Sequence, residues 1–134
     1  MKRAFTLMEL VIVVITISVI AVFAIPNFKK AVDRRYESSI VLDLTAINAA
    51  QEIYKSRYGA YYTFSNPSGQ GKSSINAKLN LNIGLQGAYF LCHPRSGVYE
   101  CFGSIRGFSI YMNPGSINPG TNPYCSPPGS CPTL

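Results

Sequence analysis

The sequence has few of the residues that carry enzyme chemistry. Among 134 residues there are one histidine and six acidic side chains. No nucleophile motif, no glycine-rich phosphate loop and no pair of acids in the polar part of the chain is present. These absences predict a protein that is not an enzyme and that uses no cofactor.

Charge is also scarce near the N-terminus, where Lys2 and Arg3 precede an apolar run over residues 5–25. This run spans about 31 Å as a helix at ~1.5 Å per residue, enough to cross the hydrocarbon core of a bilayer. Its one ionisable residue is Glu9, and the next along the chain is Lys29. A carboxylate there costs roughly 2.5–3.5 kcal/mol on insertion scales, so Glu9 needs a partner.

These residues resemble the N-terminus of the type IV pilin family, which includes the type II secretion pseudopilins. The shared pattern is a short basic leader, a small residue, and Phe-Thr-Leu-hydrophobic-Glu-Leu before an apolar helix. The resemblance implies that a prepilin peptidase cuts after Ala4, where the family usually has glycine, and that Phe5 becomes the N-methylated first residue. It also implies that Glu9 pairs with the Phe5 amine of a neighbouring subunit during assembly, and that Pro26 kinks the helix.

Two other interpretations of the segment remain open. A secretory signal peptide also combines a basic start with an apolar stretch, and Val22-Phe23-Ala24 would serve as its cleavage site. A plain single-span anchor would keep its N-terminus. Signal-peptide apolar regions are short and lack acids, and a helical pattern resumes directly after Pro26, so the pilin interpretation is favoured.

Residues 27–58 predict an amphipathic helix that Gly59 ends. Large side chains recur at every third or fourth position, with Gln51 as one polar interruption; they are Phe28, Val32, Tyr36, Ile40, Leu44, Ile47, Tyr54 and Tyr58. The chain is thus expected to comprise a leader (1–4), a transmembrane or filament-core helix (5–26) and a periplasmic or extracellular globular domain (27–134).

Alternation of apolar and polar residues predicts four strands, at 79–85, 88–92, 98–102 and 105–112, after a polar loop at 65–74. The proline-rich tail, 113–134, is interpreted as turns and polyproline conformation without a fifth regular strand. The expected fold class is α+β. It is a type IV pilin-like fold, in which a long N-terminal helix packs on a four-stranded antiparallel sheet with a disulfide-containing C-terminal loop.

The four cysteines allow three disulfide connectivities. A two-residue turn at Ser96-Gly97 would place Cys92 opposite Cys101 at a non-hydrogen-bonded pair, with Cα atoms ~4.5 Å apart. Cys125–Cys131 would then close a small loop. The alternative is that the C-terminal loop is joined to the sheet, as is frequent in the resembled family.

Other ligands are weakly supported by the sequence. Zinc would require closer Cys and His spacing than Cys92, His93 and Cys101 provide, so His93 is interpreted as a surface partner of Glu100. The calcium loop of the major pseudopilins is acidic, and no acid follows Glu100. DNA binding is a second function class, for which the candidates are scattered basic residues: Lys55, Arg57, Lys72, Lys78, Arg95 and Arg106.

The sequence therefore predicts a structural subunit of a type IV pilus or related filament, with a secretion pseudopilin or a DNA-binding minor pilin as alternatives. The resemblance implies several partners: copies of the same chain, the prepilin peptidase, an assembly ATPase and a platform membrane protein. Before assembly the chain would span the bacterial inner membrane once, with its N-terminus in the cytoplasm. After assembly it would belong to a cell-surface pilus or a periplasmic filament.

Overall fold

A computed structural model describes residues 6–63, 71–114 and 122–131. The chain forms two compact units, Met1–Val32 and Asp33–Leu134. Its elements are α1 (Leu7–Tyr58), α2 (Gly71–Leu79), β1 (Tyr89–Arg95), β2 (Val98–Ile105), β3 (Phe108–Met112) and β4 (Tyr124–Ser126). The strands form one antiparallel sheet in the order β1-β2-β3-β4, which confirms the predicted α+β class.

Within the second unit, the predicted stripe of α1 supplies the helix side of the core. Ile40, Leu44 and Ile47 are fully buried. Opposite them, Gly103 of β2 leaves room for the helix, because a Cβ there would lie 2.6 Å from Cγ2 of Ile40. Gly59 ends α1 as expected, with a positive φ of 77° and a 2.8 Å bond from its N–H to the carbonyl of Lys55.

The predicted strand at 79–85 is wrong. Leu79 is the last residue of α2, and Asn80 follows it with a φ of 53°. The N–H of Leu81 then bonds to the carbonyl of Asn76 at 3.0 Å, the pairing of a Schellman helix end. The side-chain amide of Asn76 also bonds to both the N–H and the carbonyl of Ile83, so a side chain supplies the pairing that a neighbouring strand would have given.

Further boundaries also differ from the prediction. β1 begins one residue later and ends three residues later than the strand expected at 88–92, and β2 ends three residues later than the strand expected at 98–102. The loop expected at 65–74 lies partly outside the described residues, and its last four residues begin α2. The strand expected at 105–112 is divided by the Arg106–Gly107 turn, so that Ile105 belongs to β2. The tail does contribute a strand, because Tyr124–Ser126 pair with Tyr111, Ile110 and Ser109 of β3.

The short strand β4 is held by side chains as much as by its ladder. Tyr124 stacks on Tyr111 at 5.0 Å between ring centroids, and Tyr111 stacks on Phe102 at the same distance. The sequence at 124–126 does not predict a strand. The segment has only three residues, all of them half-buried, and it lies between Pro123 and Pro127. Its pairing depends on residues that precede it by more than ten positions.

Candidate functional site

The start of α1 is closed by a reciprocal pair of hydrogen bonds between Thr6 and Glu9. The backbone N–H and the hydroxyl of Thr6 both donate to Oε2 of Glu9 at 2.9 Å. The N–H of Glu9 lies 3.3 Å from the hydroxyl oxygen of Thr6 and donates to it. This is a capping box, which satisfies backbone donors that have no partner inside the helix. The sequence signal for this capping box is the Thr-x-x-Glu pattern of Thr6 and Glu9 before an apolar run. The pilin-motif interpretation of these residues did not recognise it.

The structure describes only some of the other residues that were predicted to act in this region. Ala4 and Phe5 lie outside the described residues, so cleavage and methylation there remain predictions. Pro26 lies inside α1, where it has no N–H to donate to the carbonyl four residues earlier. The bend expected at Pro26 also remains a prediction.

Apolar surface dominates the first unit. From Leu7 to Phe28 the large aliphatic and aromatic side chains are exposed, and no ionisable residue occurs between Glu9 and Lys29. By length and composition α1 could cross a membrane. Its apolar segment is not buried against any other part of the described structure. Such a surface requires an apolar environment, either lipid or other protein.

The second unit carries two disulfides, Cys92–Cys101 and Cys125–Cys131. Cys92 and Cys101 face each other across the β1–β2 hairpin with Cα atoms 4.0 Å apart, and Ser96-Gly97 form its turn with positive φ at both residues. This register is the one expected from the sequence. The second bridge closes a loop inside the tail.

Glu100 occupies a polar cluster on the sheet face opposite α1. Its side chain is only 1% exposed, and it accepts bonds from Arg95 Nη1 at 2.6 Å and from the Tyr124 hydroxyl at 2.7 Å. His93 Nε2 lies 3.3 Å from its other oxygen. The cross-strand pairing of His93 and Glu100 is as predicted, but its description as a surface pair is wrong for Glu100. The cluster joins β1, β2 and β4, because Arg95 also donates to Tyr124.

The basic residues proposed for DNA are mostly engaged within the chain. Lys55 donates to the Tyr61 hydroxyl, Lys72 to the carbonyl of Leu85, Arg95 to Glu100 and Arg106 to Asp33. Arg57 and Lys78 line an open cleft of about 230 Å³ beside Tyr54 and Tyr58. Four of these six cations therefore have a hydrogen-bond partner within the chain.

Among the residues that the structure describes, no three His, Cys, Asp or Glu side chains are grouped so that they could hold a metal ion. A cleft of about 380 Å³ is open and is lined by Lys55, Tyr61, Pro94 and neighbouring residues.

The capped apolar helix and the disulfide-bonded antiparallel sheet form a type IV pilin-like α+β fold. The chain is similar to the type IV major pilin protein PilA of Myxococcus xanthus (strain DK1622), with 42% identity over 68 residues, 51% of this chain and 31% of the relative. It is also similar to the type II secretion system core protein G of Klebsiella michiganensis, with 32% identity over 60 residues, 42% of each chain. No family model and no solved structure matches.

The chain is thus similar in sequence to pilins and pseudopilins. The matches span less than half the length of either relative.

Proposed function

We propose that this chain is a structural subunit of a type IV pilus or a related extracellular filament, and that it is not an enzyme. The observation that carries the proposal is the part of α1 in the first unit, which is capped, has Glu9 as its only ionisable residue before Lys29, and exposes its large apolar side chains. Such a helix is unstable in water by itself and becomes stable in a bilayer or against copies of itself. The names of the two relatives support assembly as its activity.

In this proposal the chain is first a single-pass protein of the bacterial inner membrane, with Lys2 and Arg3 in the cytoplasm. Prepilin peptidase removes residues 1–4 after Ala4 and leaves a methylated Phe5 at the new N-terminus. An assembly ATPase and a platform membrane protein then move the subunit from the membrane into a filament on the cell surface or in the periplasm. The disulfides fit the oxidising side of that membrane.

Glu9 has one role before assembly and a second role within the filament. In the single subunit, Thr6 supplies two donors to its carboxylate, which lowers the cost of holding that group in an apolar run. In the filament, the α-amino group of a neighbour's Phe5 compensates its charge more completely than neutral donors do. Exchange of the first partner for the second would fix the axial register of the subunits.

Two substitutions separate the charge of Glu9 from its capping role. Glu9→Gln keeps an oxygen that can accept from Thr6, because glutamine also forms capping boxes, whereas Glu9→Ala removes cap and charge together. We expect both variants to be cleaved after Ala4, as shown by the mass and N-terminal sequence of the recovered chain, and both to give few or no sheared filaments. Thr6→Ala, which loses the cap and keeps the charge, is expected to retain more filament than either.

Normal filaments from Glu9→Gln would show that the carboxylate acts only as a cap, and would exclude the register role. A wild-type chain that begins at Met1 or Ile25, and occurs in no filament, would exclude the proposed function itself.

A further inference from the structure

The chain carries four cations shortly after its apolar run. Lys29 and Lys30 lie near the end of the first unit, and Arg34 and Arg35 lie near the start of the second. All four side chains are exposed. Since no ionisable residue lies between Glu9 and Lys29, they are the first cations that follow the run. We call these four residues the basic segment.

The two acids of the same stretch do not offset these charges at the surface. Asp33 accepts a 2.9 Å bond from Nε of Arg106, in the turn between β2 and β3. Glu37 is only 1% exposed, so its carboxylate is enclosed by the second unit. Among the described residues, no acid forms a salt bridge with the basic segment. The exposed charge of this stretch that has no partner in the chain is therefore positive.

A second copy of the chain offers few carboxylates to the basic segment. The chain has six acids, all of them among the described residues. Five are capped, paired or at least partly buried: Glu9, Asp33, Glu37, Asp43 and Glu100. The sixth, Glu52, is exposed and accepts a 3.0 Å bond from the Tyr61 hydroxyl. Copies of the chain therefore lack the acids to neutralise four cations each.

The position of the basic segment suits the headgroups of a bilayer. Lys29 and Lys30 follow Ile25 by four and five residues, about 6–8 Å along the helix at ~1.5 Å per residue. The headgroup region is about 5–8 Å thick on each side of the hydrocarbon core. When the apolar run spans the membrane, these ammonium groups therefore lie at the depth of the lipid phosphates. Their long stems cover apolar surface while the charged ends stay in the polar layer.

We propose that the basic segment binds the phosphate groups of anionic phospholipids at the outer side of the inner membrane, before the chain enters a filament. Each cation near an anionic membrane surface strengthens the attraction, which falls off within about 8–10 Å at physiological salt. A nucleic acid offers phosphate too, but it does not cover the adjacent apolar run, whereas a bilayer covers that run and supplies the phosphate. The inference rests on the proposed function and adds a class of lipid to its membrane stage.

Vesicles with equal amounts of phosphatidylglycerol and phosphatidylcholine, which contain the full chain, test the proposal. Electron spin resonance of each lipid in spin-labelled form measures how strongly that lipid associates with the chain. We expect the wild-type chain to prefer phosphatidylglycerol by at least about threefold at low salt. In about 0.5 M salt the preference should fall towards unity, because counterions screen charges near the surface.

Two triple variants with the same change of charge locate the binding. The first carries Lys29→Gln, Lys30→Gln and Arg34→Gln. The second, its matched control, carries Lys55→Gln, Arg57→Gln and Lys78→Gln. All six side chains are exposed, and the disulfide content, measured by intact mass, shows whether each variant is folded. We expect the first variant to prefer phosphatidylglycerol by no more than about 1.5-fold, and the second to stay within about 1.5-fold of wild type.

Several results would overturn the proposal and leave the proposed function intact. Equal association of the two lipids with the wild-type chain would do so without any variant. A preference that survives in the first variant, or that disappears in both variants, would show that the basic segment is not its source. Salt-sensitive binding to duplex DNA that only the first variant loses, without a lipid preference, would assign the segment to nucleic acid. Fewer filaments from the first variant than from the second, again without a lipid preference, would assign it to a protein contact.

The membrane stage has its own measurement. Extraction of the wild-type chain from cell membranes with alkaline carbonate should leave it in the pellet, as for a protein that spans the bilayer. A chain that carbonate releases would exclude the membrane stage of the proposed function, and lipid binding with it.

Discussion

The two units of this chain are stabilised in opposite ways. In the described residues of Met1–Val32 the helix has a cap, formed by Thr6 and Glu9, and its large apolar side chains are exposed. In Asp33–Leu134 the same helix continues with a stripe that is fully buried against a sheet. The difference shows that helical structure in the first unit depends on an environment outside the molecule, whereas the second contains its own core.

Polar side chains show the same contrast. In the second unit three amide side chains each bond to both the N–H and the carbonyl of one distant backbone residue: Gln51 to Tyr62, Asn76 to Ile83 and Asn122 to Asn113. Each amide substitutes for a strand partner and fixes a segment that has no ladder of its own. Hydroxyl groups on α1 bond within one turn in both units, as Thr16 does to Val13 and Thr45 to Val41, so the contrast between the units lies in the amides.

The largest expected effect comes from overfilling the core of the second unit. Gly71 begins α2 against β1, and a Cβ at this position would overlap the carbonyl oxygen of Phe90. Because backbone cannot move aside as a side chain can, Gly71→Ala is expected to lower the free energy of unfolding by about 1–3 kcal/mol or more. The measurement is denaturant unfolding of the full chain in detergent. Gly84→Ala is the control, since a Cβ at Gly84 meets no atom within 4 Å.

A smaller effect is expected from alkaline pH. Burial raises the pKa of Tyr99 well above its usual value, so the folded state holds the phenol proton more tightly than the unfolded state. The resulting stability is fully present below pH of about 10 and is lost as the pH rises. One unit above the unfolded pKa the loss is about 1.4 kcal/mol for one such group.

The unfolding free energy at pH 9 and pH 11 measures this loss. Tyr99→Phe should show less of it, because its ring cannot titrate, although burial also raises the pKa of Tyr62 and Tyr124. Equal pH dependence in Tyr99→Phe and wild type would contradict the assignment.

The smallest effect is expected in the first unit. Ile17 is 61% exposed, so Ile17→Ala removes a large side chain without opening a cavity in the folded chain. Its effect on unfolding of the second unit should be within about 0.5 kcal/mol, as for surface positions. A loss of several kcal/mol, as is typical for a buried isoleucine, would show that the first unit contributes to the free energy of unfolding of the second. It would contradict the difference between the two units.

Prediction from sequence succeeded where the signal is local. The apolar run, the helical stripe through Ile40 and Leu44, the stop at Gly59 and the Ser96-Gly97 hairpin depend on residues close together in the chain. It failed where pairing is distant or where one pattern permits two structures. The alternation at 79–85 resembled a strand, yet Asn76 closes a helix there, and β4 depends on β3 and on Glu100.

Local patterns in the sequence were enough to predict the apolar helix with its single carboxylate and the register that places Cys92 opposite Cys101. Both follow from short-range periodicity and from turn chemistry, which act before the chain is folded. The family resemblance comes from the motif at residues 4–10. Only the tertiary structure decided that Glu100 is buried beneath Arg95 and Tyr124 and that the tail adds a strand. These features depend on which distant residues meet, and a linear pattern does not contain that information.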